Sequence, residues 1–130
     1  MATATATATK STTILPDVSE RCVTYYGTIA ISASPDTYAT GGLTLSLVSV
    51  AQQNSVPDEV RIWTDTPVGW QLAYKSGTKA SDGKILVFGY VPTDATSGTL
   101  PLAEFDNSTA IPASLSGATI KFSAKFRKGT

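Results

Sequence analysis

The side chains able to do chemistry are few, and their spacing brings none of them into a working pair. Histidine is absent, so neither a Ser-His nor a Cys-His couple can activate a nucleophile. The single cysteine, Cys22, has only Arg21 beside it as a cation, and on a strand neighbours in sequence face opposite ways. Cys22 therefore reads as a small buried hydrophobe rather than a reactive thiol. A Ser-Lys dyad is compatible with the composition, but no serine and lysine are singled out. One cysteine without histidine cannot fill a tetrahedral zinc site. Asp58, Glu59 and Asp65 offer oxygen ligands, yet their spacing matches no calcium loop, and they read as solvated turn residues. Neither of the glycine-rich phosphate-binding signatures is present. The expectation is a protein that is not an enzyme, with no cofactor, no metal and no catalytic residues.

Two features point to binding instead. Trp63 shares strand parity with Arg61, away from Val60 and Ile62. It is a core residue of a strand buried on both faces, an anchor for a protein partner, or a stacking platform for a sugar together with Tyr38 or Tyr90. Near the C-terminus Lys121, Lys125, Arg127 and Lys128 form a small basic stripe, which reads as a solvated face. Asn107-Ser108-Thr109 is formally a glycosylation acceptor, and reads as a chance match because no export signal is seen.

The elements that must position these residues are strands. Trp70, Leu72 and Tyr74 alternate with Gln71, Ala73 and Lys75; after a turn at Ser81-Asp82-Gly83 the apolar run Ile85-Leu86-Val87-Phe88 returns, predicting a hairpin over residues 69–90. Ile120, Phe122, Ala124 and Phe126 alternate with Lys121, Ser123 and Lys125 in the cleanest strand. Residues 22–33 predict one strand with a bulge or bend at Gly27, residues 43–50 another, residues 59–65 a third and residues 100–105 a short one. No segment carries a helical apolar period. Turn signals every 8–12 residues or so predict an all-β, antiparallel β-sandwich, jelly-roll-like in its mixture of long and short connections.

The chain has 130 residues, enough for one domain with its own core. Ten acidic and ten basic side chains cancel, so the basic excess that nucleic-acid binding needs is missing. No apolar run approaches the length of a membrane span. Charged residues make up only 15% of the chain, which suits a surface covered by neighbours. Residues 1–13 are an alternating Ala-Thr tract whose methyl groups bury too little area to offset the entropy of ordering. The expected division is a flexible N-terminal arm at 1–13 and a single β-sandwich domain at 14–130. β-Branched threonine at every second position would let that arm order against a partner's sheet edge.

Gly69-Trp70 and Tyr74, then residues 82–88 (DGKILVF), then residues 101–105 (PLAEF), then Ile111-Pro112-Ala113 running into residues 118–122 (ATIKF) form a further pattern. Over residues 41–128 or so this order and spacing resembles small structural proteins of tailed bacteriophages, cyanophages included, of the capsid decoration or cement type. The Ala-Thr tract lies outside the resemblance.

The resemblance implies a jelly-roll-like virion protein, made in the host cytoplasm, that binds the outer surface of an assembled icosahedral head. Its partner would be the phage major capsid protein, with a homotrimer as the form on the capsid. Thr9, Lys10, Thr13, Ile14 and Leu15 are then the candidate capsid-contacting residues of the arm, and Trp63 the candidate interface residue. A carbohydrate-binding β-sandwich module is the alternative from another class; a head-fibre base or tail-associated protein is the alternative within the virion.

Overall fold

A strand presents successive residues to opposite faces, so alternation of apolar and polar side chains is enough to give a sheet one buried side. The computed structural model describes residues 3–64, 70–89, 103–105 and 108–128. Within them lie strands β1 (Ala6–Lys10), β2 (Asp17–Val18), β3 (Cys22–Ile31), β4 (Leu43–Ser46), β5 (Glu59–Thr64), β6 (Trp70–Lys75), β7 (Gly83–Gly89), β8 (Ala103–Glu104) and β9 (Ile120–Arg127). Two single helical turns, α1 (Val48–Ala51) and α2 (Ala113–Ser116), interrupt them. The strands form one sheet in the order β5-β9-β3-β1-β4-β7-β6, with β2 on β3 and β8 on β7. That sheet is nearly closed into a barrel.

The fold is all-β. It is not wholly antiparallel, because β1 and β4 run parallel, with Ala6 opposite Leu45 and Thr7 opposite Ser46. The larger correction concerns the N-terminal tract. Residues 6–10 are not a flexible arm but an interior strand, antiparallel to β3 from Ala6↔Ile31 to Lys10↔Gly27 and flanked by β4 on its other side. Side-chain area alone does not account for the order of this tract. Ala4, Ala6 and Ala8 are indeed small, although all three are buried. The omitted gain is the backbone: a strand between two others pairs peptide groups on both edges, and leaving those groups unpaired in β3 and β4 would carry a desolvation cost.

The core is set by β9. Ile120, Phe122, Ala124 and Phe126 are at most 1% exposed and pack with Leu43 and Leu45 of β4, Ile29 and Ile31 of β3, and Ile85 and Val87 of β7. The ring of Tyr25 meets Phe126 edge-on at 6.0 Å. The expected hairpin is present as β6 and β7, paired from Trp70↔Gly89 to Lys75↔Lys84.

Gly27 holds no bulge, since β3 and β9 stay in register from Cys22↔Arg127 to Ile29↔Ile120. The glycine is required for another reason: a Cβ there would run into the Thr9 carbonyl and the Phe122 ring. The strand expected over residues 43–50 ends at Ser46. Leu47, Val50 and Ala51 are all buried, a spacing that a helical turn satisfies and a strand does not. Of the short strand expected over residues 100–105, β8 spans Ala103–Glu104. Residues 100–102, Asp65, Tyr90, Asn107 and the loop expected at 92–98 lie outside the described residues.

Candidate functional site

One loop stands out because the strand pairing forces it from the surface. β1 and β2 lie in turn along the same edge of β3, but the register slips by four residues between Lys10↔Gly27 and Asp17↔Thr24. The surplus is extruded between Ser11, whose N–H donates to the Tyr26 carbonyl at 2.8 Å, and Asp17. Ser11 also starts the turn outward, its Oγ accepting from the Ile14 N–H at 2.9 Å and the Thr13 N–H at 3.2 Å. The loop carries two large apolar side chains into solvent, Ile14 at 56% and Leu15 at 78% exposure. Val18, at its foot, is 60% exposed.

Trp63 faces the same region. It lies opposite Lys121 in the β5–β9 ladder, on the outer side of β5, and is 41% exposed. Between Trp63 and the loop runs an open cleft of about 420 Å³, with Tyr26, Gly27 and Phe122 in its lining. Thr9, Lys10, Thr13, Ile14 and Trp63, five of the six residues singled out in the sequence, border this cleft. Leu15 adjoins Ile14 on the loop. The Lys10 ammonium is 5.7 Å from the centre of the Tyr25 ring, so the strand end carries a cation near an aromatic face.

A second, smaller cleft of about 270 Å³ separates β5 from β6, with Trp63 on one side and Trp70 on the other. Trp70 is fixed in place. Its indole N–H donates to Ser114 Oγ at 3.0 Å, its ring meets Phe105 edge-on at 5.1 Å, and it packs over Gly89. Tyr38, named with Trp63 as a stacking partner for sugars, is 1% exposed and cannot offer a ring face to a ligand.

Tyr38 instead belongs to a polar cluster that sequence reasoning missed. Its hydroxyl donates to Glu104 Oε2 at 2.7 Å and accepts from the Val87 N–H at 3.3 Å, while the Gly41 N–H donates to the same carboxylate oxygen at 2.8 Å. Burial, with the bond to Glu104, pushes the Tyr38 phenol up to about 12. Burial also raises the Tyr74 phenol, whose hydroxyl is buried with no hydrogen-bond partner among the described residues. Asp82 is held below the ordinary carboxylate range by hydrogen bonds from Thr78 and Lys79, which tie the β6–β7 turn. The Tyr38–Glu104 contact spans 66 residues, so no local spacing could have announced it. The cluster pins a loop to β8.

The remaining candidates scatter. Cys22 is half-buried rather than buried, because β3 begins at the edge of a charged surface formed by Arg21, Lys125, Arg127 and Lys128 with Glu20 and Asp58. Asp58 pairs with Arg127 Nε at 3.4 Å and Glu59 with Arg61 at 3.2 Å, both exposed. Among the described residues no three acidic, cysteine or histidine side chains converge as metal ligands, and no helix is long and apolar enough to cross a membrane. What the surface offers is an apolar loop, a tryptophan and a cleft between them. No family model matches the chain, and no curated protein or solved structure matches it.

Proposed function

We propose that the chain is a structural protein of a virion, a cement or decoration protein bound to the outer surface of an assembled icosahedral phage head. The observation that carries the reading is the exposure of Ile14, Leu15 and Val18 on and beside one loop, with Trp63 across the cleft from it. Clustered exposed apolar groups beside a tryptophan are what a protein interface uses. The resemblance to phage decoration proteins supports the same role, with the major capsid protein as partner and a homotrimer as the bound form. A jelly-roll-like sandwich is the finer fold proposed. The nesting of β3 with β9 and β4 with β7 around the consecutive β5 and β6 supports it.

Function follows from linkage. A protein that binds the assembled lattice but not its free parts stabilises the lattice by RT ln(1 + [L]/Kd) at each site. Many sites on one shell, each touching more than one capsid subunit, turn modest affinities into resistance to internal pressure. Since β1 is built into the sheet, the capsid-contacting part of the N-terminal region is the extruded loop, with Ile14 and Leu15 at its tip and Trp63 across the cleft.

Co-sedimentation with expanded, undecorated heads tests this. Wild type should pellet at a fixed saturating stoichiometry, and the pair Ile14→Ser/Leu15→Ser or Trp63→Ala should lower the affinity at least about ten-fold, as loss of interface anchors does, without a change in the thermal midpoint. Failure to pellet on any head would remove the reading. A glycan-binding module is the second reading, favoured by the Trp63–Trp70 cleft; it predicts retention on an oligosaccharide array that Ile14→Ser/Leu15→Ser leaves intact.

A further inference from the structure

β1 differs from the other interior strands in how it is held. Its inward side chains are alanines, so its seat consists chiefly of backbone pairing: five residues against β3 and two against β4, with the Ala4 N–H donating to the Thr37 carbonyl and the Ser32 N–H to the Thr5 carbonyl. An empty slot between β3 and β4 would leave two rows of peptide groups unpaired, which only another extended strand could satisfy. The slot is also selective. Gly27 lets the Thr9 carbonyl approach so closely that no side chain fits between, and the floor accepts methyl groups at Ala4, Ala6 and Ala8. The segment that meets these demands is the same tract of another copy.

The connection supplies the means. The strand is joined to β2 by the extruded loop. The four surplus residues of that loop, drawn out, add about 13 Å of reach at roughly 3.3 Å per residue. From these features we propose that the slot between β3 and β4 is an intermolecular site: β1 of one copy pairs with β3 and β4 of a second copy, and the chain assembles by strand exchange. Each copy then makes the bonds that a single chain makes, so exchange costs little beyond association. Repeated in one direction around a closed ring, it gives a cyclic oligomer. The exchange does not depend on the capsid reading.

Cysteine pairs report which copy fills the slot. Thr7 and Ala30 are opposite each other in the β1–β3 register and both are exposed. In a Cys22→Ser background, chains bearing Thr7→Cys alone and Ala30→Cys alone are refolded together at high concentration and treated with a short bismaleimide. Exchange predicts a Thr7→Cys/Ala30→Cys adduct at twice the chain mass, confirmed by peptide mapping. It also predicts far less of that adduct when the two chains are folded apart and mixed briefly. The double variant calibrates the geometry by cross-linking within or between copies. An adduct confined to the double variant and to the mass of one chain overturns the proposal. So does equal cross-linking of co-refolded and separately folded mixtures, which would reflect mere contact between folded copies. Circular dichroism of each variant confirms that the sheet has formed.

Discussion

β1 and β9 flank the same strand, β3, and both alternate inward and outward side chains, yet they are secured by different forces. β9 sends Ile120, Phe122, Ala124 and Phe126 into the core, where buried apolar area stabilises at about 25 cal/mol per Å². β1 sends in alanines and depends on its backbone ladders. The difference separates what makes the fold from what the fold can lend. A strand anchored by large side chains leaves only with global unfolding, whereas one anchored by hydrogen bonds can be replaced by the matching strand of another copy, which makes the same bonds.

The sharpest way to break the contrast is on the β9 side. Phe122→Ala should destabilise the protein by about 3–5 kcal/mol, the range for a buried aromatic truncated in a close-packed core, read from urea midpoints at an unchanged slope. Gly27→Ala strikes both strands together, since its methyl group meets the Thr9 carbonyl and the Phe122 ring. The expected cost is about 1–3 kcal/mol, with β1 displaced because a backbone carbonyl cannot rotate aside.

A third region sharpens the comparison by pH. The Tyr38 phenol is raised from its ordinary value of 10.0 to about 12, so between those values the unfolded state loses its proton first. Stability due to this group is complete below pH 10 and is lost as pH rises toward 12. Tyr38→Phe should flatten that alkaline decline in a series of melts, while substitutions in β1 should not. Ala8→Gly, the mildest change, should cost about 0.5–1 kcal/mol through backbone entropy. A loss as large as that from Phe122→Ala would mean that β1 is held by its side chains after all.

The same two strands show what was legible in the sequence. β9 and the β6–β7 hairpin announce themselves because alternation of large apolar and charged residues is a local property. β1 alternates just as regularly, but with methyl groups that signal no core, and its partners are too distant for a single sequence to reveal. The parallel pairing with β4 was hidden for that reason, as was the role of Gly27 as a gap for a crossing carbonyl. The site was half legible. Five of the six candidate residues converge on one cleft, although four of them were chosen as parts of a capsid-binding arm and Trp63 separately, and the loop that presents Ile14 and Leu15 exists only because of a register slip. Tyr38, one of two rings that a sugar platform would need exposed beside Trp63, is buried, and nothing near it foretold the carboxylate of Glu104 that it meets across the fold.

Native-state hydrogen exchange tests the contrast between the two strands most directly. Amides of Ala6 to Lys10 should exchange through a local opening, at least about ten-fold faster than those of Phe122 to Phe126, which should exchange only with global unfolding. Equal protection along both strands would contradict the distinction and leave β1 as fixed a part of the core as β9.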